Sequence, residues 1–199
     1  MSSNKIWKII GASNHTDNER QADDFYATDP IAIDKLLKVE RPNQNVWECA
    51  CGEGHLSHRL GEKGFTVISS DIVDRGYKAF TYQADFLAAK EAPYTGRFDI
   101  ITNPPYKNAK EFVLKSLELL RNGCKAYMFL KLTFLEGKTR FEQLFKDNPP
   151  KAVYVFSERI MCAKNAEFQK MKDGGGSCVA YAWFVWEKGF TGTTSLKWI

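Results

Sequence analysis

The stretch that decides the fold is FDIITNPPY, which covers residues 98–106. Phe98 to Thr102 form an apolar, β-branched run bounded by prolines, which is the pattern of a buried strand that stops abruptly. Asn103 therefore lies at the carboxyl end of that strand, where open α/β sheets bind their ligands. Because two consecutive prolines have no N–H donors, the carbonyl groups around them are expected to be available to a ligand.

The next four residues, Asn103, Pro104, Pro105 and Tyr106, suit the recognition of a planar amine. The side-chain oxygen of Asn103 and the carbonyl of Pro104 could each accept one N–H of an exocyclic amino group, while Tyr106 stacks on the attached ring. Such acceptors would turn the nitrogen lone pair toward an electrophile. The alternative is a strand that ends at prolines and is followed by an exposed turn tyrosine.

Length and composition favour a single domain over residues 1–199. The chain has 44% hydrophobic residues and a formal charge of +4, so it can bury a substantial core and is compatible with a polyanionic partner. There is no signal-peptide pattern and no run of about 18 apolar residues, so we expect a cytoplasmic protein without a membrane segment. Five cysteines without paired spacing predict neither a zinc site nor disulfides.

Strand-like runs alternate with helical spacings along the chain, which predicts a mostly parallel sheet with helices on both faces. The predicted strands are 46–50, 66–70, 80–84, 98–102, 125–132, 152–156 and 178–186, and the predicted helices begin at Pro30, Leu56, Ala109 and Thr139. The last of these strands follows a loop and is expected to be antiparallel. Residues 1–22 are predicted to be a mobile arm, and residues 157–177 are a candidate recognition loop.

A glycine-containing segment, Glu48 to Gly54, follows the first predicted strand. Gly52 and Gly54 permit a tight turn and a close approach of a ligand to the backbone. Ser57 stands where a dinucleotide-binding fingerprint has its third glycine, so the segment favours an adenosine-bearing ligand without a pyrophosphate.

Acidic residues end the next two strands. Asp71 lies near the spacing at which a carboxylate binds a ribose diol. Asp85, which Phe86 follows, could accept the amino group of an adenine whose face packs on the ring. With Glu48 and Asn103, these residues would line one edge of the sheet.

Together these motifs resemble S-adenosylmethionine-dependent amino-methyltransferases, specifically the DNA adenine-N6 group. The segment Phe25 to Pro30 is similar to the motif of that group that holds the methionine end of the cofactor. The resemblance implies a Rossmann-like class I methyltransferase fold with seven strands, the last antiparallel. It assigns cofactor-binding roles to Tyr26, Thr28, Glu48, Ala50, Gly52, Gly54, Asp71, Ile72, Asp85, Phe86 and Asn103.

The same resemblance implies methyl transfer to adenine N6 in double-stranded DNA, on a base flipped out of the duplex and without a metal. It assigns catalysis to Asn103, Pro104, Pro105 and Tyr106, and substrate binding to Tyr106, Lys107, Phe134 and Phe168. Candidate phosphate contacts are Lys107, Lys110, Lys131, Lys138 and Arg140. No large target-recognition region is evident, so recognition would use loops at 136–148 or 157–177 and would involve a short or relaxed target or help from a partner. The chain could be a solitary modifier such as those of bacteriophages.

Three alternatives stay open. The acceptor could be an RNA base, and it could also be cytosine N4 or a protein glutamine amide, because each presents a planar nitrogen. In a different class of function, the chain could be an inactive cofactor-binding subunit, although the intact tetrapeptide argues against that.

Overall fold

The computed structural model describes residues 27–163 and 179–199 of the chain. The predicted arm at 1–22 lies outside the described residues, as does most of the predicted recognition loop at 157–177. Within the described part, two sheets are present. One has eight strands, and the other is a separate pair of two-residue strands.

The strands of the described part follow the predicted order closely. They are β1 (Ala27–Thr28), β2 (Asn45–Glu48), β3 (Thr66–Asp71), β4 (Tyr82–Gln83), β5 (Asp99–Thr102), β6 (Lys125–Lys131), β7 (Ala152–Val155), β8 (Cys162–Ala163), β9 (Tyr181–Glu187) and β10 (Ser195–Trp198). The main sheet has the order β10-β7-β9-β6-β5-β2-β3-β4, and β1 pairs with β8. Only β9 is antiparallel to its neighbours in the main sheet.

Four helical segments correspond to the four predicted helices. They are α1 (Ile31–Val39), α2 (His55–Glu62), α3 (Ala109–Leu119) and α4 (Lys138–Arg140), which continues as a π-helix over Phe141–Phe145. Helix α1 begins one residue after the predicted start at Pro30, and Asp29 Oδ1 accepts the N–H of Ile31 at 3.1 Å.

The helices cover both faces of the main sheet, and a separate apolar layer fills each face. On one side, Ile33 of α1, Leu60 of α2 and Tyr127 of β6 belong to one buried cluster. On the other side, Val113 of α3 and Trp47 of β2 belong to a second buried cluster. Strand β5 is buried along its whole length, as expected for a central parallel strand between two helical layers. The mostly parallel α/β fold predicted from the sequence is therefore confirmed.

Three details of the sheet differ from the prediction. The main sheet has eight strands because β10 is added as an outermost strand, parallel to β7. The antiparallel strand β9 is therefore followed in the chain by one more strand. The run 80–84 forms only the two-residue strand β4. The β1–β8 pair was not predicted, since two-residue strands carry no periodicity that a sequence pattern could detect.

The register of the main sheet places the predicted site residues at one edge. Strands β4, β3, β2 and β5 are consecutive and parallel, so their carboxyl ends meet at the same edge, here called the carboxyl edge. Glu48 and Asp71 are the last residues of β2 and β3, and Asn103 directly follows β5. Asp85 follows β4 by two residues. The opposite edge, where the parallel strands begin, is called the amino edge.

Candidate active site

Two adjoining cavities open at the carboxyl edge. The larger, the main cleft, has a volume of about 130 Å³. The predicted residues that line it are Ala50, Asp71, Ile72, Asp85, Phe86, Asn103, Pro105 and Lys107. The smaller, the side compartment, is lined by Thr28, Glu48, Ala50, Cys51, His55 and Asn103 among others. Because Ala50 and Asn103 line both cavities, the two meet between the ends of β2 and β5.

Groups from the two-stranded sheet hold the side-chain amide of Asn103. Its Nδ2 donates to Thr28 Oγ1 at 2.9 Å and to Cys162 Sγ at 3.5 Å. Thr28 and Cys162 are direct partners across β1 and β8. The structure therefore brings Thr28, a predicted cofactor residue, into contact with the predicted catalytic residue Asn103.

The two prolines carry the chain from β5 into a short 3-10 helix, Tyr106–Asn108. Pro104 is buried, whereas Pro105 is half-buried and lines the main cleft. The carbonyl of Pro105 accepts the N–H of Asn108 at 2.9 Å. The expectation that carbonyls around both prolines are available to a ligand is thus wrong for Pro105, because the following turn uses that carbonyl.

Tyr106 has one contact at its hydroxyl and another over a face of its ring. Its hydroxyl lies 3.3 Å from Cys162 Sγ, and burial raises the pKa of that phenol well above its usual value. The ammonium group of Lys131 lies 4.7 Å from the ring centroid, within the range of a cation–π contact. The sequence predicted an open aromatic surface here, but Lys131 covers one face of the ring.

Both glycines of the segment after β2 adopt left-handed backbone conformations, with φ of 54° at Gly52 and 80° at Gly54. A Cβ atom at Gly54 would lie 2.4 Å from the ring of Tyr77, so any side chain there would displace that ring. The need for glycine is confirmed, although the group that approaches Gly54 closely is a tyrosine of the same chain. The loop presents Ala50 to both cavities.

Asp71 joins two loops at the wall of the main cleft. Its Oδ2 accepts the N–H of Gly52 at 2.8 Å, and its Oδ1 accepts the N–H of Val73 at 3.0 Å. These bonds fix the carboxylate at the end of β3 while it lines the cleft. The neighbouring side chain of Ile72 is 52% exposed and forms an apolar part of the wall.

Asp85 and Phe86 form the wall beyond Asp71. Asp85 is exposed, and its Oδ1 accepts the N–H of Leu87 at 2.9 Å, which caps a short 3-10 helix. Phe86 is buried, with ring centroids 5.1 Å from Trp47 and 4.9 Å from Phe112. A rigid aromatic surface therefore lies beside a carboxylate, as the sequence predicted.

Glu48 is buried at the base of the side compartment. The hydroxyl of Ser57 donates to Glu48 Oε2, and Ser69 Oγ donates to Ser57 Oγ at 2.7 Å. Burial raises the pKa of Glu48 to about 8, with a smaller contribution from the charge of Asp71, while the bond from Ser57 acts in the opposite direction. The carboxyl group is therefore largely protonated at neutral pH.

His55 opens helix α2 and lines the side compartment. Burial lowers the pKa of its imidazole, and the charges of Glu53 and Asp29 only partly oppose that effect. A neutral imidazole in this position adds a polar group that can donate or accept. His55 was not predicted as a site residue, since a lone histidine after a glycine loop carries no spacing signal.

Phe134, which was predicted to bind the substrate, lies in the core. It lines neither cavity and is 7% exposed. Its ring packs edge-on against Phe145, Phe184 and Trp186. The prediction that Phe134 flanks a substrate base was wrong, because the 3-10 helix Leu132–Leu135 directs the ring into the core. Two other predicted residues, Tyr26 and Phe168, lie outside the described residues.

The basic residues near the tetrapeptide fall into two groups. Lys107 is exposed at the main cleft, and Lys131 lies over the ring of Tyr106. Lys110 instead donates to Gln143 at 2.7 Å. The guanidinium of Arg140 lies 4.3 Å from the ring centroid of Phe134 and donates to a nearby carbonyl. Lys107 and Lys131 are thus the predicted phosphate contacts that lie next to the site.

Several residues of the main cleft were not predicted from the sequence, and Arg75 and Phe112 have the largest side chains among them. Arg75 lies in the loop after β3, and Phe112 lies on α3. Phe112 looks like an ordinary core residue at helical spacing, and Arg75 follows Asp71 by four residues without a motif. Only the tertiary structure places both of them against the ligand cleft.

The four described cysteines, Cys49, Cys51, Cys124 and Cys162, are buried free thiols. Within residues 27–163 and 179–199, no group of three His, Cys, Asp or Glu side chains is arranged to hold a metal ion. In the same part of the chain, no helix has the length and apolar character needed to cross a membrane.

Comparison with known proteins gave matches to solved structures. No protein-family model and no curated protein sequence matches the chain. A Listeria monocytogenes protein provisionally classed as a class I S-adenosylmethionine-dependent methyltransferase is similar at TM-score 0.55 and 14% identity, over 85% of this chain and 64% of that one. A Pyrococcus horikoshii protein provisionally classed as an RNA methyltransferase is similar at TM-score 0.55 and 14% identity, over 95% of this chain and 100% of that one.

A third similar structure is a modification subunit, from Vibrio vulnificus, of an enzyme provisionally classed as a type I restriction enzyme. Its TM-score is 0.56 and its identity 12%, over 98% of this chain and 50% of the subunit. The chain thus spans about two thirds or less of the length of two of the three proteins. At these identities the likeness shows the fold, which is that of class I S-adenosylmethionine-dependent methyltransferases.

Proposed function

We propose that this chain is an S-adenosylmethionine-dependent methyltransferase that methylates the N6 amine of adenine in DNA. The observation that carries the proposal is the position of Asn103, which lines both cavities and whose amide nitrogen is held by Thr28 and Cys162. Because those two groups orient the amide nitrogen, the amide oxygen would be the atom that accepts an N–H of an incoming amine.

The walls of the main cleft fit the nucleoside half of S-adenosylmethionine. The carboxylate of Asp71 suits a ribose diol, since each hydroxyl can donate to it. The aromatic ring of Phe86 and the exposed side chain of Ile72 suit the faces of an adenine, and Asp85 suits its amino group. The polar side compartment would hold the amino-acid end of the cofactor.

The glycine loop also argues against a phosphate-bearing cofactor. In phosphate-binding loops, free backbone N–H groups point at the ligand. Here the N–H of Gly52 donates to Asp71, and the N–H of Gly54 donates to the carbonyl of Cys51 at 2.7 Å. The hydroxyl of Ser57 donates to Glu48. The loop therefore favours a cofactor without a pyrophosphate.

When bound, S-adenosylmethionine supplies an electrophilic methyl group on a sulfonium. The residues of this chain would act by positioning, because an aromatic amine needs orientation more than a strong base. Asn103 would accept one N–H of the amine and turn its lone pair toward the side compartment. Tyr106, held by its hydroxyl, would limit the orientation of the base. Burial around the tetrapeptide would exclude water.

Three observations support a nucleic acid as the carrier of the amine. The chain has a formal charge of +4, and Lys107 and Lys131 lie beside the tetrapeptide, where they can contact phosphates. The similar proteins include one classed as an RNA methyltransferase and one modification subunit of a restriction enzyme. The tetrapeptide resembles that of DNA adenine-N6 enzymes, so DNA is the proposed acceptor and RNA is the second candidate.

Transfer of labelled methyl groups tests the proposal. The protein is incubated with S-adenosylmethionine labelled on the methyl group and with double-stranded DNA, and the DNA is digested to nucleosides. We expect the label in N6-methyl-2′-deoxyadenosine. Asn103→Ala should lower the rate at least about 100-fold, as expected for the loss of an oriented hydrogen-bonding group in the transition state.

The matched control is Asn122→Ala, which removes an exposed asparagine away from both cavities and should leave the rate unchanged. Label in RNA but not DNA would replace the proposed acceptor with the second candidate. Label in N4-methylcytosine would change the target base. If S-adenosylhomocysteine binds but no polymer is labelled, the chain is a cofactor-binding subunit.

A further inference from the structure

The β1–β8 pair contacts the tetrapeptide through one side chain from each strand. Thr28 and Cys162 are cross-strand partners, and both are buried, at 3% and 4% exposure. Both accept from the same atom, Asn103 Nδ2. Among the described residues, these two strands pair with each other and with no strand of the main sheet, so the contact links the small sheet to the residue that follows β5.

Cys162 also contacts the second functional side chain of the tetrapeptide. Its Sγ lies 3.3 Å from the hydroxyl of Tyr106. Burial raises the pKa of the thiol, and hydrogen bonds from Tyr106, Asn103, Tyr181 and Thr28 oppose that effect only in part. The group therefore stays a neutral thiol at neutral pH, which suits a hydrogen-bond partner and not a nucleophile.

The orientation of an asparagine amide needs such partners, because its terminal torsion is soft and has two broad minima. Rotation by half a turn would present the NH₂ group of Asn103 to the incoming amine. Two donors would then face each other, and the amine would lose its acceptor. A threonine hydroxyl and a thiol on the nitrogen side favour the orientation in which the oxygen is offered.

We propose that Thr28 and Cys162 form a clamp that positions the Asn103 amide, and that Cys162 is the positioning residue that joins Asn103 to Tyr106. This inference rests on the proposed function, since the orientation of the amide has a consequence only if its oxygen receives an amine. The clamp assigns the small β1–β8 sheet a role in the reaction as well as in the fold.

Kinetics of a cysteine variant provide the first test. Cys162→Ala removes the thiol and should lower kcat for DNA methylation about tenfold, as expected for one oriented hydrogen bond. The affinity for S-adenosylhomocysteine, measured by calorimetry, should stay within about twofold, because the cofactor walls are unchanged. Cys162→Ser should restore most of kcat, since its hydroxyl keeps an acceptor at nearly the same place.

The matched control is Cys124→Ala, because Cys124 is also fully buried but packs in the apolar layer of the main sheet. It should reduce stability to a similar degree and leave kcat unchanged. If Cys162→Ala and Cys124→Ala have equal kcat, or if Cys162→Ser is no better than Cys162→Ala, the clamp is overturned.

A spectroscopic measurement separates failure of the clamp from failure of the proposed function. In ¹⁵N-labelled protein, the side-chain NH₂ signals of Asn103 can be identified by their loss in Asn103→Ala. They should shift in Cys162→Ala and in Thr28→Val but not in Cys124→Ala, whether or not any polymer is methylated. Unchanged NH₂ signals in both clamp variants would overturn the inference even if the protein methylates DNA.

Discussion

The amino edge and the carboxyl edge of the main sheet both contain a buried glutamate, and the two side chains have opposite kinds of partner. At the amino edge, Glu40 accepts from Lys125 Nζ at 2.6 Å, from Tyr154 at 2.6 Å and from Tyr127 at 3.2 Å. At the carboxyl edge, Glu48 accepts from the hydroxyl of Ser57, and no ion pair to it is found among the described residues.

The difference in hydrogen-bond partners explains why the pKa values of Glu40 and Glu48 shift in opposite directions. Burial acts to raise the pKa of Glu40, but the bonds from Lys125 and the two tyrosines outweigh it and the pKa is lowered. The pKa of Glu48 is raised to about 8, mainly by burial. The amino edge is therefore an internally neutralised part of the fold, whereas the carboxyl edge keeps a carboxyl group that a cationic ligand group could ionise. We infer that the first edge contributes stability and the second contributes binding.

The largest loss of stability expected from a single substitution at pH 7 is at the amino edge. Lys125→Met removes the cation next to Glu40, whose side chain is 8% exposed, and should lower the free energy of unfolding by about 3 kcal/mol. Urea denaturation at pH 7 measures this. Adding Glu40→Gln should recover most of the loss, because no uncompensated charge then stays buried. A cost below about 1 kcal/mol would contradict the contrast between the edges.

The pH dependence of stability should distinguish Glu48 from Glu40. The ordinary pKa of Glu48 is 4.5 and its folded value is about 8, so between these values the folded chain keeps a proton that the unfolded chain has lost. Stability should fall as pH rises through this window, by at most about 1.4 kcal/mol per pH unit.

Glu48→Gln should remove this slope in urea denaturation followed from pH 5 to pH 8. The pH dependence that Glu40 contributes to the free energy of unfolding has the opposite sign. Because its pKa is lowered in the folded state, Glu40 contributes stability above pH 4.5 that is lost on acidification. A slope that survives in Glu48→Gln would assign the titration to another group.

Two glycines with similar backbone angles allow a smaller test. Gly54 at the carboxyl edge has φ of 80°, and Gly64, before β3, has φ of 89° with open space around it. Gly64→Ala should lower the free energy of unfolding by about 1 to 2 kcal/mol, which is the strain of a left-handed backbone conformation at alanine. Gly54→Ala adds a clash with Tyr77, so it should cost more and also weaken binding of S-adenosylhomocysteine. Equal costs and equal affinities would show that the Gly54 loop tolerates a side chain.

The smallest effect is expected from a more exposed ion pair at the amino edge. Lys151 Nζ lies 2.6 Å from Glu187 Oε2, with side chains 39% and 22% exposed. Lys151→Met should lower the free energy of unfolding by less than about 1 kcal/mol, measured by urea denaturation at pH 7. A loss as large as that of Lys125→Met would mean that burial is not what separates these pairs.

Much of the candidate site was predictable because the relevant residues follow strands. A parallel sheet brings the ends of its strands together, so Glu48, Asp71, Asp85 and Asn103 could be placed on one edge from the sequence order of their strands. The predicted pocket residue Phe134 could not be placed this way, since a turn after β6 decides which face its ring meets.

Local sequence therefore determined most of the main-sheet strands, the helices, the glycine conformations at Gly52 and Gly54, and the residues that meet at the carboxyl edge. These properties depend on hydrophobic periodicity and backbone sterics, which act over a few residues. Only the tertiary structure decided that Cys162 contacts Asn103 across 59 positions of sequence and that Lys131 covers Tyr106. It also decided that Glu40 is paired with a cation, whereas no cation pairs with Glu48 within the described part of the chain. Those outcomes depend on which distant side chains share a buried space, and no local pattern records that.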